Sequence, residues 1–341
     1  MPEESKMSHI LNTGDLRTVA VTNHDTRAFA LSQTSSSTLV SSSHRHVSAR
    51  NLLPKRLARY GFGSSSGFGL RLVSSILKRG DRVIATARSL DKLKTNLARE
   101  AANPNCHIIE LDIAWEPESI RSAIDRAVKI WGRIDVLVNN AGLGYKSLIE
   151  EASSREFKLQ FQANLFGHID VTNAVLPGMR ERKAGTIVIM GSRSGWKSEI
   201  PATALYASSK AALRVYGETL ATELAQFSIR VLIVEPGAFR TEGILTKKYH
   251  TDHPIADYDE TRAKCIKIFD ETEGRQPGDP EKAVELLVDV VRGEGRAEGK
   301  PWTGYLPMGA DAVADIKNKC EKVTKAVDAW SDEATKLGID T

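Results

Sequence analysis

The chain has 341 residues and a mass of 37.4 kDa, and 41% of its residues are hydrophobic and 26% are charged. This composition suits a globular protein. The sequence has no apolar run of about 20 residues, the length that a membrane helix needs. Three widely spaced cysteines and eight scattered histidines exclude a disulfide scaffold, a structural zinc cluster and a His-Glu-x-x-His metalloprotease. The net charge of +4 arises in residues 1–60, which hold eight of the 47 basic residues but only four of the 43 acidic residues. The rest of the chain has 39 residues of each kind. It therefore lacks the positively charged surface of a nucleic-acid-binding protein.

Residues 1–57 form a leader whose composition differs from the rest of the chain. Serine triplets interrupt its apolar periodicity, and no acidic residue occurs between Asp25 and Asp81. Such a segment buries too little apolar surface to offset its ordering entropy, which predicts disorder. Its Ser- and Arg-rich composition also resembles an organelle transit peptide, and a third interpretation is a 5′ exon assigned in error. We expect a cytoplasmic protein, with organelle targeting by the leader as the alternative.

Residues 58–341 alternate short β-branched runs with longer helical patterns. The runs are continuously apolar, as in strands buried on both faces of a parallel sheet. This alternation predicts a single α/β domain with a doubly wound, mostly parallel sheet and helices on both faces. The predicted strands are 82–87, 108–111, 134–138, 186–190, 229–234 and a last one near 302–306. The predicted helices are 69–78, 117–131, 155–182, 207–226, 281–292 and 311–337.

The stretch where the first strand is expected has an unusual composition. Residues 55–62 include Lys55, Arg56, Arg59 and a glycine where a buried apolar run belongs. Burying an unpaired arginine costs several kcal/mol. We therefore predict that the first strand is degraded or missing.

A glycine-rich motif, Gly63-Ser-Ser-Ser-Gly67-Phe68-Gly69, directly precedes the first predicted helix. Glycines at this spacing allow a tight turn and let a pyrophosphate approach the helix N-terminus. The alternative is a flexible linker, because Gly- and Ser-rich stretches are common in loops.

Three polar residues follow the next strands. Arg88 stands where an arginine favours the 2′-phosphate of NADP over the ribose hydroxyl of NAD; the alternative is a solvated cation at a helix start. Asp112 is expected to accept a hydrogen bond from the adenine amino group or to cap the next helix. Asn139 begins Asn-Asn-Ala-Gly at a strand end, where ligands approach such sheets, although a plain turn has the same composition.

Tyr206 and Lys210 carry the strongest chemical signal. At positions i and i+4 of a helix their side chains share one face. Ser192 ends a predicted strand fourteen residues before Tyr206, which gathers a hydroxyl, a phenol and an ammonium at the ligand edge of the sheet. A nearby ammonium lowers the pKa of a phenol and suits it to proton transfer near neutral pH. The alternative is an ordinary surface pair.

In this order, the motifs resemble those of the short-chain dehydrogenase/reductase family, in the branch similar to retinol and 17β-hydroxysteroid dehydrogenases and uncharacterised ketoreductases. The resemblance extends from about residue 63 to the C-terminus. It rests on Gly63-x-x-x-Gly67-x-Gly69, Asn139-Asn140-Ala141-Gly142, Asn164, Ser192, Tyr206-x-x-x-Lys210 and Pro236-Gly237 through Thr241. It implies a Rossmann-type fold and an NADP(H)-dependent oxidoreductase that interconverts a ketone or aldehyde with an alcohol.

The resemblance also implies individual roles. Tyr206 would be the general acid/base, and Lys210 would bind the nicotinamide ribose and depress the Tyr206 pKa. Ser192 would hydrogen-bond the substrate carbonyl, with Ser194 in reserve because the family's usual spacing falls on Arg193. Asn164 would kink its helix and hold a proton-relay water. The cofactor would contact Gly63, Gly67, Phe68, Gly69, Arg88, Asp112, Asn139, Tyr206, Lys210, Pro236, Gly237, Phe239 and Thr241.

Residues 243–278 have a looser pattern and are predicted to form a mobile lid over a small-to-medium apolar substrate. Alternatively, its apolar residues pack the lid onto the body: Ile244, Leu245, Tyr249, Ile255, Tyr258, Ile266, Ile268 and Phe269. We expect a homodimer or homotetramer formed through helices 155–182 and 207–226, with no metal, nucleic-acid partner or membrane span. The competing hypothesis is a catalytically impaired dinucleotide-binding or interaction protein, because the first strand is disrupted.

Overall fold

A computed structural model describes residues 58–62, 64–242 and 248–339, with only the backbone for 58–62. The leader over 1–57, Gly63 and part of the predicted lid lie outside these ranges. The predictions made for them therefore stay predictions.

Within the described residues, seven parallel strands form one sheet in the order β3-β2-β1-β4-β5-β6-β7. The strands are β1 Ala58–Phe62, β2 Arg82–Ala87, β3 Cys106–Glu110, β4 Val136–Asn139, β5 Gly185–Met190, β6 Ile229–Pro236 and β7 Tyr305–Met308. From the centre, the chain adds β2 and β3 on one side and then β4 to β7 on the other. The order confirms the predicted doubly wound sheet, with a topological switch point between β1 and β4.

The backbone of β1 occupies the centre of the sheet. Tyr60 is opposite Ile84 of β2 and Leu137 of β4, both in parallel register. A strand therefore lies where the sequence raised doubt. Whether this strand is degraded depends on its side chains, which lie outside the described part of the chain, so that point stays a prediction.

The helices flank the sheet, and most begin and end close to their predicted positions. They are α1 Gly67–Lys78, α2 Leu90–Asn96, α3 Pro117–Trp131, α4 Ser154–Phe161, α5 Gly167–Arg182, α6 Ala204–Leu224, α7 Asp259–Thr272, α8 Pro280–Arg292 and α9 Ala310–Ala334. The single helix predicted over 155–182 is interrupted by a π-helical turn, Gln162–Phe166, between α4 and α5. The short helix α2 escaped prediction and begins at the cap residue Ser89. In the described ranges, no helix combines the length and apolar composition needed to cross a membrane.

The core lies between the sheet and its helices and is closed at one end by buried ion pairs. The strand residues Ile84, Leu137 and Ile187 are fully buried. Beside them, the Asp81 carboxylate at the start of β2 accepts two hydrogen bonds from Arg292 at the end of α8, at 2.8 and 2.9 Å. Because Asp81 is fully buried, this pair fixes α8 against the sheet.

The segment predicted as a lid contains helix α7 and is fastened to the body. The buried Glu151 carboxylate accepts hydrogen bonds from Arg262 of α7 and from the Ile255 backbone amide. Tyr249 and Phe269 pack against a buried cluster that includes Leu148. These contacts match the alternative in which the apolar residues pack the segment onto the body, whereas Ile268 is exposed and Ile244 and Leu245 lie outside the described residues.

Candidate active site

Four of the predicted site residues meet at the carboxyl edge of the sheet. Ser192 directly follows β5, Tyr206 and Lys210 lie in the first turns of α6, and Asn164 lies in the π-helical turn. The π turn is the local helix distortion that the resemblance implied. Long-range folding thus brings together residues that are separated by up to 46 positions in the sequence.

Lys210 is held in a buried position beneath the phenol. Its ammonium Nζ donates a hydrogen bond to the Met190 carbonyl at 2.7 Å and lies 5.9 Å from the centroid of the Tyr206 ring. Burial lowers the pKa of Lys210 to about 8, although the nearby Glu235 carboxylate opposes that shift. At neutral pH the ammonium is therefore mostly charged, with a proton that is easier to lose than that of an exposed lysine.

Asn164 joins the catalytic helix to the loop after β4. Its amide Nδ2 donates hydrogen bonds to the Leu143 carbonyl and to Ser209 Oγ, each at 3.0 Å, and its Oδ1 accepts from the Leu143 amide at 2.9 Å. A Cβ on Gly142 would lie 3.3 Å from Asn164 Oδ1 and 3.6 Å from Lys210 Nζ. A glycine at this position therefore leaves open the space that the asparagine and the ammonium share.

Ser192 and Tyr206 are in direct hydrogen-bond contact. The Ser192 hydroxyl is a hydrogen-bond partner of the phenol and lowers its pKa. It also accepts a hydrogen bond from the Ser194 amide at 3.1 Å. Arg193, which occupies the family's usual serine spacing, is instead paired with Asp315 of α9 at 2.6 Å. The one-residue-longer loop therefore presents Ser192 to Tyr206.

The pKa of Tyr206 differs from the sequence expectation. We expected Lys210 to depress it, but burial raises it above the ordinary value of 10.0, and the negative charge of Glu235 adds to the rise. The physical reason is that desolvation of the phenol is the largest effect on its pKa, while the Lys210 ammonium is hydrogen-bonded to the Met190 carbonyl and lies 5.9 Å from the ring centroid. The raised pKa therefore keeps the phenol protonated across the neutral range.

Glu235, a buried carboxyl group under the site, was missed by the sequence analysis. Its Oε2 accepts a hydrogen bond from the Ser192 amide at 2.7 Å, and a Cβ on Gly191 would lie 2.6 Å from that oxygen. Burial raises the pKa of Glu235 to about 7, against the stabilising effects of the Trp196 indole, the Ser192 amide, Lys210 and Arg214. This acidic residue directly follows the apolar run 231–234, a signal that was available in the sequence.

His168 is a second residue that the sequence analysis missed. The ring is fully buried on α5, and its Nε2 lies 2.8 Å from the Ala141 carbonyl, to which it donates. Burial and the Lys210 charge lower the pKa of His168 to about 3, so the ring is neutral. It therefore positions the Asn-Asn-Ala-Gly loop. The signal available in the sequence was its position four residues after Asn164, a spacing that places two residues on the same face of a helix.

The glycine-rich turn presents a backbone amide to a carboxylate. Gly67 has a φ of +57°, which favours glycine, and its amide at the start of α1 donates to the Glu242 carboxylate at 3.0 Å. Arg71 binds the same carboxylate at 3.0 Å, and together these contacts lower the pKa of Glu242 to about 2. The position therefore accepts an anion, as a helix N-terminus does.

The loop after β6 lies directly against this turn. The rings of Phe68 and Phe239 are in edge-to-face contact, with centroids 5.3 Å apart. Asp311 fixes the loop through the Ala238 amide at 2.7 Å, and a Cβ on Gly237 would lie 1.9 Å from the same carboxylate. Thr241 lies close enough to Gly67 that a Cβ there would be 3.6 Å from the threonine Cβ. The motif ending in Thr241 thus meets the motif containing Gly67.

Three further predicted contacts have different surroundings. Arg88 is exposed just beyond the end of β2. Asp112 accepts a hydrogen bond from the Ala114 amide at 3.0 Å, while α3 is capped at Glu116, so the helix-cap alternative for Asp112 is wrong. The buried Asn139 amide donates to Thr172 Oγ1 at 2.9 Å. Contact of these residues with a cofactor stays a prediction.

An open cavity of about 540 Å³ lies beside the catalytic helix. Its wall is mostly apolar, and two carboxylates also border it. The lining residues are Leu148, Ile149, Glu150, Ser198, Glu199, Ile200, Pro201, Ala202, Ala204 and Tyr258. The cavity reaches α6 at Ala204, and Tyr206 is not among its lining residues.

Comparison with known proteins shows that the chain belongs to the short-chain dehydrogenase family, whose family model matches residues 62–251. It is 35% identical to the uncharacterised oxidoreductase YusZ of Bacillus subtilis over 235 residues, 67% of this chain and 82% of the relative. It is 38% identical to human retinol dehydrogenase 8 over 185 residues, 53% of this chain and 58% of the relative. This agrees with the branch that the motifs indicated.

Solved structures show the same relationship. A short-chain dehydrogenase from Streptomyces avermitilis has 31% identity and a TM-score of 0.71, covering 83% of this chain and all of its own. The closed form of serine dehydrogenase complexed with NADP+ has 26% identity and a TM-score of 0.57 over 74% and 94% of the two chains. A Burkholderia phymatum short-chain dehydrogenase/reductase, solved with NAD, shares the fold at 18% identity and a TM-score of 0.67 over 79% and 95%.

Membership of this family gives the chain a dehydrogenase/reductase role: it is an oxidoreductase acting on CH–OH groups. The competing hypothesis of an impaired binding or interaction protein is not favoured.

Proposed function

We propose that the protein is an NADP(H)-dependent oxidoreductase that interconverts a ketone or aldehyde with an alcohol, with Tyr206 as general acid/base. The observation that carries this proposal is the meeting of Ser192, Tyr206, Lys210 and Asn164 at one edge of the sheet, with the Ser192 and Tyr206 hydroxyls in contact. When bound, NADPH supplies the hydride for carbonyl reduction. The remaining chemistry belongs to the side chains.

In reduction, the Ser192 and Tyr206 hydroxyls bind the substrate carbonyl oxygen, which gains negative charge as the carbon is reduced. The Tyr206 proton then passes to that oxygen and yields the alcohol. Its raised pKa suits this donor role, and the Lys210 ammonium 5.9 Å from the ring centroid offsets the charge that the phenol acquires. Asn164 holds the loop and helix together and is placed to order a relay water between Lys210 and solvent.

The preference for NADP(H) over NAD(H) rests on Arg88. Its exposed guanidinium follows β2, at the position where a 2′-phosphate on the adenosine ribose meets the protein in this fold. The proposed cofactor surface also includes Gly63, Gly67, Phe68, Gly69, Asp112, Asn139, Pro236, Gly237, Phe239 and Thr241.

The substrate is proposed to be small to medium in size and apolar. The cavity at the start of α6 is walled by aliphatic side chains such as Leu148, Ile149 and Ile200, and Tyr258 of the predicted lid borders it. A retinoid-like or steroid-like carbonyl is chemically compatible with such a wall.

Binding titrations of the full chain with NADPH and NADH, followed by turnover with a panel of apolar ketones and aldehydes, test the proposal. We expect tighter NADPH binding, and we expect Arg88→Ala to weaken NADPH binding more than NADH binding. Lys158→Ala, an exposed cation on α4, is the matched control. Equal affinity of wild type for both cofactors would contradict the Arg88 argument, and no binding of either would overturn the proposed function.

A further inference from the structure

The last helix, α9, leaves the body of the protein partway along its length. Ala312 and Asp315 near its start are buried, whereas every residue from Glu321 to Trp330 is exposed. An isolated helical segment as short as this exposed stretch is marginal in water, and tertiary packing usually stabilises such segments. Packing on the body of the protein therefore does not account for the exposed apolar residues in the second half of α9.

Those apolar residues form a seam with alternating spacings of four and three residues. Its members are Ile316, Cys320, Val323, Val327, Trp330 and Ala334. Val323, Val327 and Trp330 are 50%, 60% and 70% exposed. A repeat of this kind, averaging 3.5 residues, is the pattern with which one helix packs against another in a coiled coil. We call these six residues the α9 seam.

The charges beside the α9 seam are self-complementary in one orientation. Lys319 and Glu333 flank it on the same side, fourteen residues apart, which is two heptads. If two copies of α9 run antiparallel with Val323 of each facing Val327 of the other, Lys319 of each copy lies beside Glu333 of the other, so the pairing occurs twice. Ala326 then meets Ala326 at the centre, where a small residue permits close approach.

Other arrangements fit less well. A parallel pair would place the lysine-rich first half of one seam along the same half of the other. A lipid surface is also a poor match, since residues 317–336 hold five lysines and four acidic residues and so lack the excess positive charge that anionic headgroups attract. The charge pattern therefore favours a second, antiparallel copy of the chain as the partner of the α9 seam.

We propose that the α9 seam is a docking surface for a second copy of this protein, bound antiparallel. The surface is connected to the active-site loop, because Asp315 of α9 binds Arg193 at 2.6 Å and Lys197 at 2.7 Å, just after Ser192. The docked helix therefore braces the loop that presents the catalytic serine.

Sedimentation of the full chain tests the docking surface directly. We expect Val327→Lys to halve the mass of the assembly, or to raise its dissociation constant at least about tenfold. Ala329→Lys, on the opposite exposed face of the same turn, is the matched control and should leave the mass unchanged. Both sites are exposed, so circular dichroism should show an intact fold. A monomeric wild type, or an assembly that Val327→Lys does not alter, would overturn the proposal.

Charge reversal and cross-linking test the orientation. Glu333→Lys should weaken association, and combining it with Lys319→Glu should restore it. In a Cys320→Ser background, Ala326→Cys should form an intermolecular disulfide, since Cys106 and Cys265 are buried. Cross-linking of native Cys320 to its copy without cross-linking at position 326 would indicate a parallel pair, and recovery of the protein with lipid vesicles instead of as a dimer would indicate a membrane surface. Either result overturns the proposal.

Discussion

Two glycines on helix α5 are expected to respond in opposite directions to the same substitution. A Cβ on Gly167 would lie 2.4 Å from the Ile113 carbonyl oxygen and 2.7 Å from the Ile113 Cβ, so backbone has to move. A Cβ on Gly178 would meet only the far end of the Arg182 side chain, at 3.1 Å, and a shift of a few tenths of an ångström that keeps its hydrogen bond to the Ile134 carbonyl relieves the contact. Both residues are helical, so alanine at either position gains about 0.5–1 kcal/mol from reduced conformational entropy of the unfolded chain.

The expected change in the free energy of unfolding is this entropic gain minus the cost of the steric overlap. Overpacking of a rigid site costs about 1–3 kcal/mol, so Gly167→Ala should lower the free energy of unfolding by about 0.5–2 kcal/mol after the gain in helix propensity. Gly178→Ala should raise it by a few tenths of a kcal/mol up to about 1. Gly167 also follows the π turn that carries Asn164, so its displacement should reduce kcat, whereas Gly178→Ala should leave kcat unchanged.

Urea-induced unfolding of both variants beside wild type, with kcat measured on the same preparations, tests this reasoning. Equal stability of Gly167→Ala and wild type would show that the contact between α5 and the loop at Ile113 yields without cost. A shift of both variants in the same direction would refute the argument that the local contact decides the sign.

Three further predictions concern the site and the core. Tyr206→Phe should lower kcat by about 10²–10⁴-fold through loss of the proton donor, while NADPH affinity in a fluorescence titration changes little; unchanged turnover would refute its catalytic role. Glu235 has a pKa raised from 4.5 to about 7, so its contribution to stability is complete below pH 4.5 and is lost as the pH rises through 7. Relative to Glu235→Gln, wild type should therefore lose up to about 3 kcal/mol of unfolding free energy across that window, and parallel stability curves from pH 4.5 to 8 would contradict this. Arg292→Leu should lower the free energy of unfolding in urea by up to about 3–5 kcal/mol because it removes the Arg292 hydrogen bonds from the buried Asp81 carboxylate, and adding Asp81→Asn should recover part of the loss; no recovery would show that the pair is not the cause.

The α/β architecture and most element boundaries were predictable from the sequence because they depend on local patterns. The continuously apolar runs gave β2 at 82–87, and the amphipathic pattern gave α3 at 117–131, both with the observed limits. The interruption between α4 and α5 was not predictable in this way, because a π turn requires one inserted residue and leaves the apolar periodicity nearly intact.

The same division applies to the candidate site. The spacing of Tyr206 and Lys210 predicted that they share a helix face. Ser192 and Asn164 were predicted as site residues from their places in the motif order. Glu235 and His168 were missed because their importance depends on burial beside residues that are distant in the chain.

The sequence by itself determined the order of most strands and helices, the titratable groups of the candidate site and the glycines at the turn before α1, since these depend on residue type and spacing. Tertiary structure decided the sign of the Tyr206 pKa shift, because burial of the phenol and the charge of Glu235 outweigh the hydrogen bond from Ser192. It also showed that the anion site at Gly67 is contacted by Glu242, 175 residues away, a proximity that only the packing of β6 and its loop against α1 creates.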